Sequence, residues 1–281
     1  MNVSFNTPHF TDENHAVWSE IIKNKEIFFK EYANFIYQPY LDGFRQLGLN
    51  ADQLPTIELL TEALSPSGWK PIFVNGYLPT EVYIDLVSKK QIPISSYMRS
   101  LQHIEYAPAP DLIHDLIGHL PMLFFSDYVE YLLDLCECFS LVEPNIYDAQ
   151  VYEAQKKLAR LGDEPRNEER ILLAKNALNN AEKALRENPS SQYKLDKLFL
   201  WTIEFGLIKS HSIPKLYGAG LMSSSLEAEA ICQGNIKIFP FSLEDMMKDF
   251  HFSDLQDQVF VADSFQSLRE NLAKFKHKIV A

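Results

Sequence analysis

The chain has 281 residues, of which 46% are hydrophobic and 23% charged, so it is long enough and apolar enough to bury a sizeable core. Its formal net charge of −12 argues against a nucleic-acid-binding surface, which needs clustered lysine and arginine. Three irregularly spaced cysteines argue against a disulfide framework. With no signal-peptide pattern and no run of about 18 apolar residues, we expect a cytoplasmic protein without a membrane partner.

The first half of the chain predicts helices and short strands. Apolar residues recur at helical spacing over residues 12–48, with an interruption at Pro39. Residues 69–78 and 92–98 are rich in β-branched and aromatic side chains and predict strands. Between them, a helix is expected from residue 79 to about residue 90.

The second half is more strongly helical. Apolar spacing predicts helices over residues 111–123, 127–142, 195–209, 226–233 and 264–276, with short strands before the last of them. Residues 143–192 differ, because they are rich in Ala, Glu, Lys, Asn and Arg and fit two amphipathic helices. We therefore expect a mainly α fold with small β elements, in one domain over residues 1–281.

Two histidines stand out in the segment that runs from Pro110 to Pro121, P-D-L-I-H-D-L-I-G-H-L-P. His114 and His119 are five residues apart, which places them roughly 140° apart on an ideal α-helix. They can share one metal ion if the helix ends or distorts near the second histidine, and Gly118 and Pro121 favour such an ending. The spacing differs from the zinc-protease pattern, in which the histidines are four apart.

A third ligand is needed, and Glu204 is the best candidate. It lies alone in an apolar run over residues 198–207, where a carboxylate is costly to bury unless it is paired or metal-bound. Two histidines and one carboxylate form the facial triad of non-heme iron(II) oxygenases. The alternative is a pair of structural histidines and a buried salt bridge from Glu204 to Lys209 or Arg99.

Three segments resemble one known family, in the family's order. H-D-L-I-G-H-L-P from His114, T-I-E-F-G-L from Thr202 and Y-G-A-G-L-M-S-S from Tyr217 are similar to motifs of the tetrahydropterin-dependent aromatic amino acid hydroxylases, the bacterial phenylalanine 4-hydroxylases in particular. Weaker similarity extends from His15 to Phe265, so the resemblance covers most of the chain.

The resemblance implies a catalytic domain that forms a helical basket around one iron. Fe(II) would be held by His114, His119 and Glu204, with tetrahydrobiopterin or a related tetrahydropterin as cofactor and O2 as co-substrate. The implied reaction is hydroxylation of an aromatic amino acid, with L-phenylalanine to L-tyrosine as the main expectation. Tryptophan as substrate, or another ring position, remains an alternative.

The resemblance also implies substrate-binding residues. Arg99 matches an arginine that binds the amino acid carboxylate, and Asp111 an aspartate that positions this arginine. Pro110 lies at the substrate-pocket proline. Ser223 matches a serine near iron and substrate, and Glu227 a glutamate behind it.

The implied cofactor-binding residues lie earlier in the chain. Gly76, Leu78 and Thr80 fall in the pterin-binding loop, and Tyr83 matches an aromatic residue that stacks on the pterin ring.

Four features depart from the family pattern. Ala109 replaces a glutamate near pterin and iron, Ser225 replaces a phenylalanine, and Phe199 lies where many members have tyrosine. Residues 143–192 exceed the family's usual spacing and predict an inserted helical hairpin. The hairpin could be an arm, a lid, a solvated insertion or a subunit contact, and the protein a monomer or a homo-oligomer through it.

Two rival functions remain at this point. A metal-dependent phosphohydrolase would use His114 and Asp115 with His103, and it would need further His and Asp ligands. A non-catalytic scaffold protein of the same family would use the 143–192 hairpin as its interface, and Ala109 and Ser225 favour it.

Overall fold

The computed structural model describes most of the chain, namely residues 8–75, 78–101, 104, 110–162, 168–244, 247–248 and 255–280. Gly76, His103 and Ala109, which the sequence analysis singled out, lie outside the described residues. None of the described helices combines the length and the apolarity that a membrane span requires.

The chain begins with helices that the apolar spacing predicts. Helix α1 (Asp12–Glu31) starts after Thr11, whose hydroxyl accepts a hydrogen bond from the backbone N–H of Asn14. Helix α2 (Gln38–Leu47) ends at Gly48, which adopts the left-handed conformation with φ of 65°. The predicted interruption is confirmed, although it precedes Pro39. Helix α3 (Ile57–Leu64) was not predicted.

A small parallel sheet follows. Strand β1 (Lys70–Val74) pairs with strand β2 (Gln91–Ser95), and helix α4 (Thr80–Ser88) connects them. Both strands end a few residues before the limits that the sequence predicted, at Val74 and at Ser95. This connection places α4 beside the strand that leads to Arg99.

The central helices carry the candidate site. A π-helical segment, His114–His119, continues into a 3₁₀ turn at Leu120–Phe124, and helix α5 (Ser126–Phe139) follows. Helix α8 (Ser191–Phe199) continues into a second π-helical segment, Leu200–Glu204.

The predicted helix over residues 195–209 is wrong in its second half. The chain leaves the helix at Phe205 and forms strand β3 (Gly206–Ser210), which pairs with β4 (Ile213–Leu216) and with β6 (Gln258–Ala262). Short apolar runs fit a buried strand as well as a helix, so pairing with a distant segment decides the outcome.

The second sheet has the order β4-β3-β6-β5, with β5 at Lys237–Pro240. Among the described strands of this sheet, β3 and β4 pair in antiparallel fashion, whereas β3 with β6 and β5 with β6 pair in parallel. Helices α9 (Ala219–Ser223) and α10 (Ser225–Cys232) lie between β4 and β5 in the chain, and α11 (Phe265–Val280) follows β6. The mainly α fold with small β elements is therefore confirmed.

Helices α6 (Ile146–Gly162) and α7 (Glu168–Glu187) form a pair that we call the hairpin. Among the described elements, each packs chiefly against the other. The side-chain amide of Asn145 donates to the carbonyl of Asn188 at 3.1 Å, so the chain leaves and rejoins the rest of the fold at one place. The two helices that the sequence predicted within residues 143–192 are present.

Candidate metal centre

The π-helical form of the first segment brings its two histidines together. The backbone N–H of Leu120 donates to the carbonyl of Asp115, five residues earlier, so residues five apart lie on one face. The Nε2 atoms of His114 and His119 are 3.1 Å apart as a result. The sequence predicted an ending or a distortion here, and the structure shows a distortion, because the helix winds on beyond His119.

The second π-helical segment supplies the carboxylate. The backbone N–H of Phe205 donates to the carbonyl of Leu200, again five residues earlier. Glu204 Oε2 lies 3.3 Å from His114 Nε2, and Glu204 Oε1 lies 3.3 Å from His119 Nε2. The three side chains predicted to bind metal thus converge on one point, and each is at most 13% exposed.

Glycines allow the backbone segments of the site to touch. A Cβ atom on Gly118 would lie 2.6 Å from the carbonyl oxygen of Ala219, and one on Gly218 would lie 2.5 Å from that of Glu204. Real side chains do not tolerate such distances, so only glycine permits this approach. The Y-G-A-G motif therefore packs directly on both π-helical segments.

Ser223 orients one of the histidines. Its hydroxyl lies 3.0 Å from His114 Nδ1 and donates to the carbonyl of Gly220 at 3.2 Å. With its own hydrogen used in this way, the hydroxyl accepts a hydrogen bond from Nδ1–H. The lone pair of His114 is then on Nε2, which faces Glu204, as metal ligation requires.

Burial and the Glu204 charge set the protonation of the three groups. Burial lowers the pKa of His114 to about 4, although Glu204 opposes the shift. Burial also acts to lower the pKa of His119, but Glu204 and Asp115 outweigh it and raise that pKa. For Glu204, burial acts to raise the pKa, and the two histidines outweigh it, so the pKa is lowered. A neutral imidazole beside an ionised carboxylate is the arrangement that binds a cation.

Asp115 is a second carboxylate near the histidines. One ligand atom each from His114, Asp115 and His119 lie within 4.8 Å of one another. However, Asp115 Oδ2 accepts a hydrogen bond from the backbone N–H of Ser95 at 2.7 Å, and burial raises the pKa of Asp115 to about 7. Glu204, which is ionised and contacts both histidines, is the better third ligand.

The salt-bridge alternative for Glu204 is wrong for both proposed partners. Lys209 Nζ pairs with Asp263 Oδ1 at 2.6 Å. Arg99 pairs with Asp111 instead, through Nε to Oδ2 at 2.8 Å and Nη2 to Oδ1 at 2.7 Å.

The Arg99–Asp111 pair lies beside the metal centre. Both side chains are buried, and Asp111 also accepts hydrogen bonds from the backbone N–H groups of Arg99 and His114. One aspartate thus links the guanidinium to the first turn of the ligand segment. The pair is therefore well placed to hold a charged group at a defined distance from the histidines.

The other residues predicted to bind substrate lie in different environments. Pro110 is exposed and directly precedes Asp111, whereas Ser223 contacts His114. Glu227 is buried on α10 and accepts a hydrogen bond from the backbone N–H of Gln256 at 2.9 Å. Burial raises the pKa of Glu227 despite that hydrogen bond.

The described cofactor-loop residues lie at or near α4. Leu78 and Thr80 are partly buried, and Thr80 is the first residue of the helix. Tyr83, on the same helix, makes an edge-to-face contact with Phe199, with ring centroids 5.9 Å apart. This contact joins α4 to the helix that leads to Glu204.

Sequence reasoning missed the tyrosines that brace the π-helical segments. Tyr40 Oη donates to the carbonyl of Ile117 at 2.7 Å, inside the first segment. Tyr131 Oη lies 2.8 Å from Thr202 Oγ1, inside the second, and Thr202 donates to the carbonyl of Leu198. In the sequence these residues are tyrosines within apolar helical patterns. Such a pattern does not show whether the tyrosine hydroxyl bonds to a ligand segment or the ring simply packs in the core.

The donor set fits a divalent transition metal. Two imidazole nitrogens and one carboxylate suit iron better than calcium or magnesium, which prefer oxygen ligands alone. Three protein ligands also leave coordination positions for other molecules.

Comparison with known proteins identifies one family. The profile described as biopterin-dependent aromatic amino acid hydroxylase matches residues 4–137 and 183–281. Phenylalanine-4-hydroxylase of Mesorhizobium japonicum is 27% identical over 267 residues, which cover 93% of this chain and 79% of the relative. The Pseudomonas aeruginosa enzyme of the same name is 24% identical over 276 residues, covering 96% and 87%.

Solved structures show the same fold. Phenylalanine hydroxylase of Chromobacterium violaceum with bound iron(III) and 7,8-dihydrobiopterin aligns with a TM-score of 0.70 at 23% identity, covering 98% of this chain and 86% of that one. The Legionella pneumophila phenylalanine hydroxylase aligns with a TM-score of 0.70 at 22% identity, covering 97% and 92%. The profile passes over residues 138–182, which include α6 and most of α7.

Proposed function

Because the chain belongs to the family of biopterin-dependent aromatic amino acid hydroxylases, we propose that it is an iron(II)-dependent monooxygenase that converts L-phenylalanine to L-tyrosine. The observation that carries the proposal is the convergence of His114, His119 and Glu204 within 3.3 Å of one another. Membership of this family argues against the phosphohydrolase alternative.

When bound, iron and a tetrahydropterin, such as tetrahydrobiopterin, would supply the chemistry that transfers one oxygen atom of O2 to the ring and the other to the pterin. The protein holds the metal and orients its partners. His114, His119 and Glu204 bind the iron, and Ser223 keeps His114 in the tautomer that ligates.

Arg99 anchors the amino acid. A guanidinium has five N–H donors, and Asp111 occupies two of them through its side-chain oxygens, which fixes the plane of the group. The remaining donors bind the substrate carboxylate in a forked geometry. Pro110 lines the entrance beside Asp111, and Glu227 supports the wall behind Ser223.

Tyr83 would provide the aromatic surface for the pterin ring, and the family resemblance assigns Gly76, Leu78 and Thr80 to the loop that binds the pterin. The contact between Tyr83 and Phe199 supports this assignment, because it places the ring next to the helix that carries Glu204.

We also propose that residues 1–281 form one catalytic domain, with residues 143–192 as a helical insertion within it. In support, the family profile matches residues on both sides of this segment and leaves residues 138–182 unmatched. Leu172 and Leu173 on the hairpin are 59% and 61% exposed, which favours the hairpin as a subunit contact in a homo-oligomer over a bare solvated arm.

The test is aerobic turnover of iron(II)-loaded protein with tetrahydrobiopterin and each of phenylalanine, tryptophan and tyrosine, with products identified by mass and retention time. We expect tyrosine from phenylalanine, only when the pterin is present. Glu204→Ala should reduce the rate by at least about 100-fold. Glu187→Ala, which removes an exposed carboxylate from α7, should leave it unchanged.

Other outcomes would redirect the proposal. Product from tryptophan alone, or a different hydroxylated phenylalanine, would keep the chemistry and change the substrate or ring position. No product from any of the three, with iron still bound, would favour the non-catalytic scaffold.

A further inference from the structure

Helix α2 packs directly against the segment that carries the two histidines. A Cβ atom on Gly43 would lie 1.8 Å from the carbonyl oxygen of Pro121, a distance that only glycine permits, so the two backbones touch. One turn earlier on α2, Tyr40 is fully buried, and its hydroxyl donates to the carbonyl of Ile117 at 2.7 Å. Helix α2 therefore contacts the ligand segment at two positions, of which Ile117 lies between the histidines.

The carbonyl of Ile117 lies where the chain lacks the usual helical donor. In an α-helix, this carbonyl would accept a hydrogen bond from the N–H of the residue four positions later. That residue is Pro121, which has no N–H. Buried backbone carbonyls are nearly always hydrogen-bonded, so a donor from elsewhere is needed. The hydroxyl of Tyr40 takes the place of the backbone donor that proline excludes.

The peptide group of Ile117 belongs to the π-helical turn that sets the geometry of the histidines. A π-helical turn is rare, and it brings residues five apart onto one face. The separation of 3.1 Å between the Nε2 atoms of His114 and His119 depends on this form. A hydrogen bond to a carbonyl inside the turn restricts the rotation of the peptide groups, and with it the directions in which the two imidazoles point.

The two histidines differ in how their rings are held. Ser223 contacts Nδ1 of His114 and so orients that ring directly. For His119, the hydrogen-bonding contacts among the described residues are made by Nε2, the atom that faces the metal position, with His114 and Glu204. The orientation of His119 therefore depends on the backbone of the π-helical turn, which the Tyr40 hydroxyl holds.

We infer that Tyr40 is a positioning residue of the metal centre. By holding the carbonyl of Ile117, its hydroxyl keeps the π-helical turn in the form that directs both histidines at one metal ion. Tyr40 acts through the backbone of the ligand segment and not as a ligand. The inference rests on the proposed function only in that His114 and His119 bind the metal, and it requires neither the pterin nor the aromatic substrate.

The experiment measures metal affinity without pterin, substrate or turnover. The metal-free full chain is titrated with Co(II), and binding is followed by calorimetry and by the visible absorption of the bound ion, which reports ligand geometry. Tyr40→Phe removes the hydroxyl and keeps the ring. Tyr37→Phe is the matched control, because Tyr37 directly precedes α2 and its ring contacts Phe125 and Phe265.

A second control separates positioning from a general loss of stability. Trp18 is also fully buried and also donates to a backbone carbonyl, that of Asn50 at 2.8 Å, which lies after α2 and outside both ligand segments. Trp18→Phe removes this hydrogen bond and leaves the Tyr40 hydroxyl in place. Urea denaturation of each metal-free variant verifies that it folds and measures its loss of stability.

We expect Tyr40→Phe to weaken Co(II) binding by about 10-fold and to change the absorption band, because the turn no longer directs both imidazoles at one point. Tyr37→Phe should bind Co(II) within about two-fold of the unchanged protein. Trp18→Phe should be less stable than the unchanged protein, yet its affinity should also stay within about two-fold and its band should not change.

Unchanged affinity and an unchanged band in Tyr40→Phe would overturn the inference, even if the unchanged protein hydroxylates phenylalanine. Equal weakening in Tyr40→Phe and in either control would also overturn it, because a general loss of stability would then explain the effect. An unchanged protein that binds no Co(II) would overturn the inference together with the proposed function. Weaker binding and a changed band in Tyr40→Phe alone, without turnover in any form, would support the inference and contradict the proposed function.

Discussion

The metal centre and the hairpin are built in opposite ways. At the metal centre, segments distant in sequence meet backbone to backbone, as Gly118 meets Ala219 and Gly218 meets Glu204. In the hairpin, α6 and α7 are neighbours in the chain and pack chiefly on each other. The family profile matches the first region and passes over most of the second. The comparison shows that a backbone contact without room for a Cβ atom restricts a position to glycine. Side-chain contacts between two neighbouring helices accept many different residues, so such a region can change its sequence.

The largest effect is expected where the backbone contact is closest to the ligands. Gly118→Ala should lower the free energy of unfolding by about 3 kcal/mol, because the added Cβ would lie 2.6 Å from the carbonyl oxygen of Ala219. It should also weaken metal binding by at least about 10-fold, since His119 is the next residue. Urea denaturation and Co(II) titration measure the two quantities. Val151→Ile, which enlarges a partly buried side chain of α6, should change stability by less than about 0.5 kcal/mol. Equal losses in the free energy of unfolding for Gly118→Ala and Val151→Ile would contradict the difference between the metal centre and the hairpin.

The next effect concerns Arg99. Arg99→Lys keeps the charge and loses the fork that holds Asp111, so the catalytic efficiency with phenylalanine should fall on the order of 100-fold, mainly through KM. Initial rates over a range of phenylalanine concentrations measure it. Arg45→Lys is the matched control, because Arg45 forms an exposed pair with Asp42 that contributes little. A fall in kcat at unchanged KM would assign Arg99 to a step other than substrate binding.

A smaller effect is expected at the junction between the hairpin and α8. Burial, and then Asp148, raise the pKa of Asp196 to about 7, well above the value of about 4 in an unfolded chain. The folded state therefore binds the proton more tightly, and this group reduces stability progressively as pH rises from about 4 to about 7. Asp196→Asn should raise the free energy of unfolding at pH 8 by about 1 kcal/mol, less than the full shift implies because the residue is only partly buried.

Urea denaturation of Asp196→Asn at pH 5 and pH 8 separates the charge effect from a change in packing. At pH 5 the gain should be much smaller than at pH 8, and Asp127→Asn, at an exposed position in the first turn of α5, should show no such difference. The same gain at both pH values would mean that the charge of Asp196 is not its cause.

Removal of the hairpin is expected to have the smallest effect on the metal centre, although it is the largest change in sequence. Asn145 and Asn188 are hydrogen-bonded across the base of the hairpin, so residues 146–187 can be replaced by two glycines without moving the ends. Co(II) affinity should stay within about two-fold, because loops that leave and return at one place tolerate replacement. A loss of 10-fold or more would show that the hairpin helps to build the site. Sedimentation of the shortened chain would show whether the hairpin joins subunits.

Sequence reasoning succeeded where the signal is local. The apolar spacing and capping residues of α1, α4 and α5 predicted these helices to within a few residues at most ends. A lone carboxylate in an apolar run was enough to single out Glu204. By contrast, the strand after Phe205 depends on pairing with β6, more than fifty positions later in the chain, and no local pattern reveals it.

The π-helical form was also beyond local reasoning. It depends on side chains from other helices, as when Tyr40 on α2 donates to the carbonyl of Ile117. The histidine spacing predicted that some distortion was needed, but the form of the distortion came from tertiary contacts.

The π-helical form of both ligand segments has a consequence for how such a site arises. A π-helical turn is an α-helical turn that holds one extra residue. If one residue between His114 and His119 were removed, the histidines would be four apart, a spacing that an ordinary α-helix places on one face. A one-residue insertion or deletion therefore separates this histidine spacing from one that an ordinary α-helix can bring to a single metal ion. Changes in length, more than substitutions, are the steps by which evolution or an engineer would reach or leave this site.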